Sequence, residues 1–403
     1  MSSVLVIGTC DTKATELEYI KAVIESRGVA ATLVDVGTSG HDSPGDITPE
    51  AVAQFHPDGP EAVKSDDRGE AVTAMAQALV HYVGQHADQI AGIIGAGGSG
   101  GTALVTPAMR SLPVGTPKFM VSTVASANVA PYVGPADIAM MYSVTDVAGL
   151  NRISRLVLGN AANAIAGMAA NPVPVSETDL PALGLTMFGV TTPLVTRLVE
   201  ELSDRYDPLV FHATGTGGQS MEKLVDSGMI RAVLDMTTTE VADLVVGGVF
   251  SAGSDRIGSI ARTGVPYVGS VGALDMVNFG GLETVPSEFA DRNLHVHNEQ
   301  VTLMRTTPAE NVAMGEFIAE KLNACQGPVR FLLPEGGVSL IDAPGQPFHD
   351  PEANEALFTA LETNVEQTSD RVLTRVPHNI NDEGFVAATL AAFAEVAEGT
   401  NNG

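Results

Sequence analysis

The same succession of an apolar strand-like run, a polar turn and a helical segment occurs twice along this 403-residue sequence. This repetition restricts the chain to a narrow group of folds. In the first half, the apolar run Val4–Ile7 is followed by a polar turn and then by apolar residues at helical spacing. In the second half, Leu183–Phe188 begins the same order. Strands that alternate with helices indicate parallel βαβ units. We therefore predict an α/β protein with two Rossmann-like, doubly wound parallel-sheet domains related by internal duplication.

Further pairs of segments support the duplication. They are 210–214 with 35–40, 232–240 with the glycine-rich loop that starts at Gly95, and 264–266 with 115–117. Between the halves, Pro172 and Pro174 stand in a stretch without periodicity, where a helix has to end. We predict domains at 1–172 and 183–403, joined by a linker at 173–182.

Composition narrows the classes of function. Lys plus Arg number 21 against 48 for Asp plus Glu, which gives a net charge of −27 and would repel a nucleic-acid backbone. No apolar run approaches the roughly 20 residues of a membrane span. The N-terminus has no basic region before its first strand, and two distant cysteines suggest neither a disulfide framework nor a zinc site. We expect a cytoplasmic protein that binds neither nucleic acid nor membrane.

The strand-like run that starts at Ile90 breaks into a loop with five glycines, and this loop fits three motifs. Gly95, Gly97 and Gly100 match the dinucleotide pattern G-x-G-x-x-G. Gly97, Ser99 and Gly101 match the nucleophile elbow G-x-S-x-G, and Thr102 completes a Walker A pattern in which Gly101 replaces the lysine. The loop alone does not decide between them.

Each motif requires something more. A dinucleotide site needs an acidic residue about 20 positions further on, where the chain has only Lys118–Ser122. A hydrolase needs an acid and a histidine for Ser99, and a P-loop needs its lysine. What remains is a set of backbone N–H groups at a helix start, which favours phosphate binding. The alternative is a tight strand-to-helix turn that needs glycine only for packing.

The first polar turn, Gly8–Lys13, offers a second set of phosphate ligands. Its hydroxyls, its amides and Lys13 could bind phosphate, and Asp11 could hold Mg²⁺ through water. The alternative is helix capping by Asp11 or Thr12, with Glu16 close to capping-box spacing.

The second half contributes polar residues at predicted strand ends. His295 and His297 share one face of a possible strand, and we favour hydrogen bonding or substrate contact over a metal site there. Arg305 could clamp a carboxylate or phosphate, with a surface salt bridge as the alternative. Asp275 follows a predicted strand end and falls on the same rim.

The sequence also resembles a known family. Segments 7–13, 97–102, 120–126, 141–146, 186–193, 212–218, 274–279 and 301–307 carry the resemblance. They are similar to the ATP-binding family formed by the N-terminal region of a tomato mosaic virus resistance protein and its bacterial and archaeal relatives. The resemblance implies two Rossmann-like subdomains, a homodimer, and ATP with Mg²⁺ in the first subdomain. Because the chain stops at Gly403 and is strongly acidic, we expect neither the plant protein's C-terminal barrel nor its viral-protein role.

We therefore predict an ATP-binding protein with a small-molecule pocket between its domains. If it is an enzyme, we expect an ATP-dependent transferase or ligase that acts on a small carboxylate or hydroxyl compound. The alternatives are a non-catalytic ligand-binding or partner-binding regulatory module that uses ATP as a structural ligand, and a serine hydrolase that acts through Ser99.

The predicted site residues fall into three groups. Those expected to bind ATP and Mg²⁺ are Gly8, Thr9, Asp11, Thr12, Lys13, Gly97, Gly98, Ser99, Gly100, Gly101, Thr102, Ser122 and Thr123. Those expected to line the small-molecule pocket are Thr214, Gly215, Thr216, Gly217, Gly218, Thr237, Thr238, Thr239, Glu240, Asn278 and Asn298. The predicted catalytic residues are Asp275, His297 and Arg305.

Overall fold

The computed structural model describes residues 2–40, 42–174, 176 and 179–398. The chain divides into two compact units, Met1–Ser176 (unit 1) and Glu177–Gly403 (unit 2). Residues 175, 177 and 178 of the predicted linker lie outside the described residues, as do residues 1, 41 and 399–403 of the predicted domains.

Unit 1 alternates strands with helices. Its strands are β1 (Ser3–Gly8), β2 (Ala31–Asp35), β3 (Ile90–Gly97), β4 (Lys118–Ser122) and β5 (Ala139–Tyr142). Its helices are α1 (Cys10–Glu25), α2 (Pro49–Ala53), α3 (Arg68–Gln85), α4 (Ser99–Ser111), α5 (Ala130–Val133) and α6 (Arg152–Ala170). Short 3₁₀ turns cover Pro60–Val63, Ala87–Gln89 and Thr123–Ser126.

The sheet of unit 1 is parallel throughout, in the order β2-β1-β3-β4-β5. Alternate residues of β1 face opposite layers because side chains in a strand point to alternating sides. Val4 and Val6 pack in the cluster that contains residues of α1 and α6, whereas Leu5 and Ile7 pack with α3 and α4. Burial on both faces explains why these strands are continuous apolar runs.

Unit 2 repeats this alternation with an insertion. Its strands are β6 (Ala182–Met187), β7 (Asp207–His212), β8 (Ala232–Thr237), β9 (Tyr267–Gly272), β10 (Met276–Phe279), β11 (Leu294–Asn298), β12 (Val301–Arg305), β13 (Val329–Pro334) and β14 (Arg371–Val376). Its helices are α7 (Thr192–Leu202), α8 (Thr216–Asp226), α9 (Thr239–Val246), α10 (Gly258–Thr263), α11 (Pro308–Ala324), α12 (Pro351–Asn364) and α13 (Glu383–Glu398). Two 3₁₀ turns cover Leu282–Thr284 and Ser287–Phe289.

The main sheet of unit 2 is also parallel, in the order β14-β13-β9-β8-β6-β7. Its first four strands in chain order, β6 to β9, lie in the same relative order as β1 to β4. The insertion between β9 and β13 forms a separate antiparallel sheet, β10-β12-β11. The predicted α/β class with two Rossmann-like parallel sheets is confirmed, and the matching strand order fits the predicted duplication.

Both units have hydrophobic layers on the two faces of the sheet. In unit 2, Val233 and Tyr267 pack in the cluster with residues of α8, α9, α11 and α12, whereas Leu234 and Val268 pack with α7 and α13. Across the described part of the chain, no helix combines the length and apolar character that crossing a bilayer requires.

Candidate functional site

The carboxyl ends of β1 and β3 mark the place where the strand order of unit 1 reverses. The chain leaves β1 towards β2 on one side, and it later returns to β3 on the other side of β1. Ligands of open α/β sheets bind in the crevice that forms at such a switch point. Ile7 pairs with Gly95, so the turns that follow these strands, 9–13 and 98–102, leave neighbouring positions at one edge of the sheet.

The glycine-rich turn presents an uncapped helix start at this edge. Strand β3 ends at Gly97, Gly98 is the N-cap of α4, and no side chain caps the helix. The first N–H groups of a helix have no carbonyl partner within it, and the helix dipole makes this end positive. Ser99 and Gly100 are exposed, and a Cβ on Gly100 would meet no atom within 4 Å. The turn can therefore receive an anion.

Thr102 and Ser122, two of the predicted phosphate ligands, instead stabilise this turn through buried hydrogen bonds. Thr102 is fully buried, and its hydroxyl donates to the Gly98 carbonyl at 2.8 Å and lies 2.6 Å from Ser122 Oγ. The Ser122 hydroxyl is also buried, and it accepts from the Val124 N–H. Thr123 is half-buried, with its Oγ1 3.7 Å from the position of a Cβ on Gly98.

Helix α1 begins earlier than it would if Asp11 or Thr12 were its N-cap. The N-cap of α1 is Thr9, without a side-chain cap bond, so the interpretation of Asp11 or Thr12 as the cap is wrong. Glu16 is buried and accepts from the N–H of Gly149 instead. The physical reason is that β1 runs to Gly8 and α1 starts at Cys10, which leaves Asp11 and Thr12 exposed in the first helical turn.

Lys13 lies beside the glycine-rich turn. A Cβ on Gly97 would be 3.8 Å from its Cε, and its ammonium group donates to the Val147 carbonyl beyond β5. The backbone at Lys13 leaves the helical region, with φ −136° and ψ 18°. This break places a positive charge near the exposed helix start of α4.

Asp35 organises the same edge, a role that the sequence did not reveal. Its buried carboxylate accepts from the backbone N–H groups of Cys10 and Gly37, both at 2.9 Å, and from the Ser43 hydroxyl at 2.7 Å. Burial and the neighbouring Asp35 charge raise the pKa of the Cys10 thiol to about 12. The available signal was an aspartate at the end of an apolar strand.

The corresponding turn of unit 2, after β8, is closed. Thr237, Thr238, Thr239 and Glu240 are all fully buried. The threonine hydroxyls bond to the protein itself: Thr237 to the Thr186 carbonyl, Thr238 to the Ser270 carbonyl and Thr239 to the Met276 carbonyl.

Glu240 belongs to a buried ion cluster around Arg256. The guanidinium donates to Glu240 Oε2 at 2.7 Å and to both oxygens of Asp235 at 2.7 Å, and Glu222 lies 3.2 Å away. Burial disfavours the Arg256 charge, but Asp235 and Glu240 outweigh it and hold the Arg256 pKa above its ordinary range. The Oε1 atom of Glu240 accepts from the N–H groups of Gly215 and Gly218, at 2.7 and 3.1 Å.

Two of the three predicted catalytic residues meet in a second buried cluster. Arg305 donates to the Phe348 carbonyl at 2.7 Å and to Asn354 Oδ1 at 3.0 Å, and it contacts the Asp275 carbonyl. Asp275 accepts from the Ser339 hydroxyl at 2.8 Å, while its Oδ1 is buried without a hydrogen-bond partner in the described structure. Burial, together with the charge of Asp342, raises the Asp275 pKa to about 7.

Asn278 is also buried, and its side-chain amide donates to Asp243 at 3.2 Å. The amide additionally donates to Thr239 Oγ1 at 3.0 Å, which ties β10 to the start of α9. Asn278 therefore holds these elements together.

His297 lies apart from these clusters, in a cavity of about 240 Å³ within unit 2. Phe188, Gly189 and Val190 after β6, His212 and Thr214 at the end of β7, Phe250, and the β11–β12 hairpin line it. Three predicted site residues, Thr214, Asn298 and His297, meet here. His212 was not among the predicted site residues, although the strand-end segment 212–218 contains it.

The remaining predicted pocket residues lie at the start of α8. Thr216 is exposed there, whereas Gly217 packs on the His212 backbone so closely that a Cβ would overlap the His212 carbonyl oxygen. Among the described residues, no group of three or more His, Cys, Asp or Glu side chains is arranged to hold a metal ion.

Comparison with known proteins identifies the family. Residues 2–174 match the N-terminal domain and residues 180–397 match the C-terminal domain of the uncharacterised protein family UPF0261. A UPF0261 protein of Rhizobium meliloti (strain 1021) is 54% identical over 398 residues, which cover 98% of this chain and 100% of that protein. A UPF0261 protein of Mesorhizobium japonicum is 53% identical, with the same coverage.

A plant protein is also similar. The ToMV resistance protein Tm-1(GCR237) of Solanum lycopersicum is 44% identical over 419 residues, which cover 98% of this chain and 56% of the tomato protein. Among solved structures, a Streptomyces glycosyltransferase covers 67% of this chain and 82% of its own, at 12% identity and a TM-score of 0.19, too low to support an argument. The two domain matches and the full-length bacterial relatives show that this chain belongs to the uncharacterised protein family UPF0261.

Proposed function

We propose that unit 1 binds the phosphate groups of Mg-ATP on the turns that follow β1 and β3. The observation that carries the proposal is the uncapped start of α4 at a switch point of the sheet. Backbone N–H groups at a helix start bind phosphate without a lysine in the loop. The exposed residues Ser99 and Gly100 leave these groups open to solvent.

The charges around this turn suit a phosphate chain with its metal ion. Lys13 supplies a positive charge close to Gly97, and Asp11 is exposed in the first turn of α1. Mg²⁺ binds proteins through few carboxylates and keeps phosphate oxygens and water as its other ligands. In this proposal Asp11 contacts a water molecule of the Mg²⁺ ion, and the ion neutralises phosphate charge.

One observation favours binding without hydrolysis. In P-loop enzymes a Ser or Thr hydroxyl of the loop binds Mg²⁺ and a lysine contacts the phosphates. The hydroxyl of Thr102 is buried and bonded to Gly98 and Ser122, and Gly101 stands where that lysine would be. A regulatory or structural role of ATP, without hydrolysis, is therefore the second candidate function. The first is an ATP-dependent reaction.

The serine-hydrolase alternative has less support. Ser99 is exposed at the first position of α4, but among the described residues no histidine makes a hydrogen bond with it. Labelling of Ser99 by a fluorophosphonate probe would revive this alternative.

The test of nucleotide binding uses Gly100→Val. A Cβ at Gly100 meets no atom within 4 Å, so the branched side chain starts in open space, and it stands beside the N–H groups at the start of α4. We expect the substitution to weaken Mg-ATP binding at least about tenfold in calorimetry, which corresponds to about 1.4 kcal/mol. The control is Gly84→Val on α3, where a Cβ is equally unhindered. Unchanged affinity in the Gly100 variant would contradict the site.

A second measurement separates the two candidate roles of ATP. The intact protein is incubated with Mg-ATP and a panel of small carboxylates, and phosphate release is followed. Release that depends on one carboxylate supports the ATP-dependent enzyme. Binding without release in every mixture supports the regulatory module.

A further inference from the structure

The cavity of about 240 Å³ in unit 2 lies at the edge of the sheet where this fold binds ligands. Its walls follow the carboxyl ends of the neighbouring strands β6 and β7. A water molecule occupies about 30 Å³ in the liquid, so this space corresponds to roughly eight water molecules or a compact organic molecule.

The polar side chains in this cavity have capacity for further hydrogen bonds. Among the described residues, neither the His212 nor the His297 imidazole has a hydrogen-bond partner. The only bond of the Thr214 hydroxyl is a long one, 3.4 Å to the His212 carbonyl. Asn298 accepts from the Gln300 N–H through its oxygen, which leaves its amide hydrogens to donate. All four side chains can donate to a ligand.

The rest of the cavity wall is apolar and favours an apolar part of a ligand. Phe188 and Phe250 meet edge to face, with ring centroids 6.3 Å apart, and Val190 and Leu303 add aliphatic surface. None of the described residues that line the cavity carries a carboxylate, although the chain has 48 acidic residues. A cationic ligand would find no opposite charge there, whereas a group rich in acceptors would meet several donors.

We propose that this cavity binds a small carboxylic acid with a compact apolar or aromatic body. The carboxylate accepts hydrogen bonds from His212, His297 and neighbouring polar groups, and the body packs on Phe188 and Phe250. The proposal does not depend on nucleotide binding, because every residue that carries it belongs to unit 2. Failure of Mg-ATP to bind would leave it unchanged.

The test uses benzoate, with crotonate as a second acid, and follows the histidine signals of the labelled full-length protein by NMR. Benzamide and benzylamine keep the ring but replace the anion by a neutral amide and a cation. We expect both acids to shift the His212 and His297 signals, with benzoate at least about tenfold tighter than benzamide and benzylamine without effect. Absence of shifts for both acids at tens of millimolar would overturn the proposal, as would equal binding of benzylamine.

Matched variants locate the binding. Gly189 lines the cavity and a Cβ there meets no atom within 4 Å, so the side chain of Gly189→Leu starts in open space at the cavity wall. We expect this variant, and His297→Leu, to weaken benzoate binding about tenfold or more. His81→Leu, at an exposed position on α3 of unit 1, is the control. Benzoate affinity that survives Gly189→Leu in a folded protein would overturn the site.

Discussion

The turns after β3 and β8 occupy the same position in two sheets of the same strand order, yet they treat negative charge in opposite ways. In unit 1 the start of α4 has no side-chain cap and faces solvent. In unit 2 the turn after β8 supplies a carboxylate of its own: Glu240, at the start of α9, accepts from the N–H groups of Gly215 and Gly218 at the start of α8, the helix that follows β7. An internal carboxylate thus occupies a helix start in unit 2, whereas we propose that the helix start in unit 1 binds an external anion.

Two sheets of the same topology therefore carry different sites. Burial raises the Glu240 pKa above its ordinary value, and Arg256 and two N–H groups offset part of this effect by favouring the carboxylate. In unit 1 the sequence keeps glycine at 97, 98, 100 and 101 and places no carboxylate against the helix start in the described structure. Function follows from these side chains rather than from the fold.

The largest expected effect comes from emptying the internal site. Glu240→Ala leaves Arg256 with one carboxylate fewer and removes the partner of the Gly215 and Gly218 N–H groups. We expect a loss of about 3–5 kcal/mol in the free energy of unfolding, as for other broken buried ion pairs. Calorimetry measures the loss, and amide exchange at Gly215 and Gly218 should accelerate.

Formate provides a second test, because it can supply a free carboxylate at the position that the Glu240 side chain occupied. We expect formate to raise the melting temperature of the Glu240 variant more than that of the wild type, with chloride at equal ionic strength as the control. An identical response of both proteins would contradict the interpretation of this turn as an internally filled anion site.

A smaller effect distinguishes the glycines at the starts of α4 and α8. A Cβ on Gly218 would overlap the Glu240 carboxylate, whereas one on Gly100 meets no atom within 4 Å. We expect Gly218→Ala to destabilise the protein by about 1–3 kcal/mol through overpacking. Gly100→Ala should be neutral or stabilising by up to about 1 kcal/mol, because alanine is the better helix former. Denaturant unfolding measures both changes, and an equal loss of unfolding free energy in the two variants would contradict the difference between these helix starts.

The smallest effect concerns pH and the second buried cluster of unit 2. The Asp275 pKa is raised to about 7, so folded protein binds a proton there that the unfolded chain releases near pH 4. This contribution to stability is complete below about pH 4 and is lost as the pH rises through 7. Asp275→Asn should therefore flatten the decline in stability between pH 5 and 8. Exposed Asp11→Asn is the control, and an unchanged slope in the Asp275 variant would contradict the prediction.

Much of the fold could be predicted from the sequence because apolar runs alternate with helical spacing in a fixed order. The glycine-rich turn was placed correctly between a strand and a helix for the same reason. The alternative interpretation of Asp11 or Thr12 as a helix cap was wrong because a cap residue is recognised by type, while the helix start depends on where β1 ends.

The interior of unit 2 could not be predicted in this way. Glu240 stands early in a helix, where an acidic residue usually faces solvent, and nothing local indicates that Arg256 surrounds itself with three carboxylates. Likewise, His212 and His297 are 85 positions apart, and only the return of the β11–β12 hairpin brings them to one cavity.

That hairpin has an evolutionary consequence. It belongs to an antiparallel insertion between β9 and β13, so it can vary in length and sequence while the parallel sheet keeps its register. Proteins that share this scaffold could acquire different ligand preferences by substitutions in the hairpin residues that line the cavity, without any change in the parallel sheet.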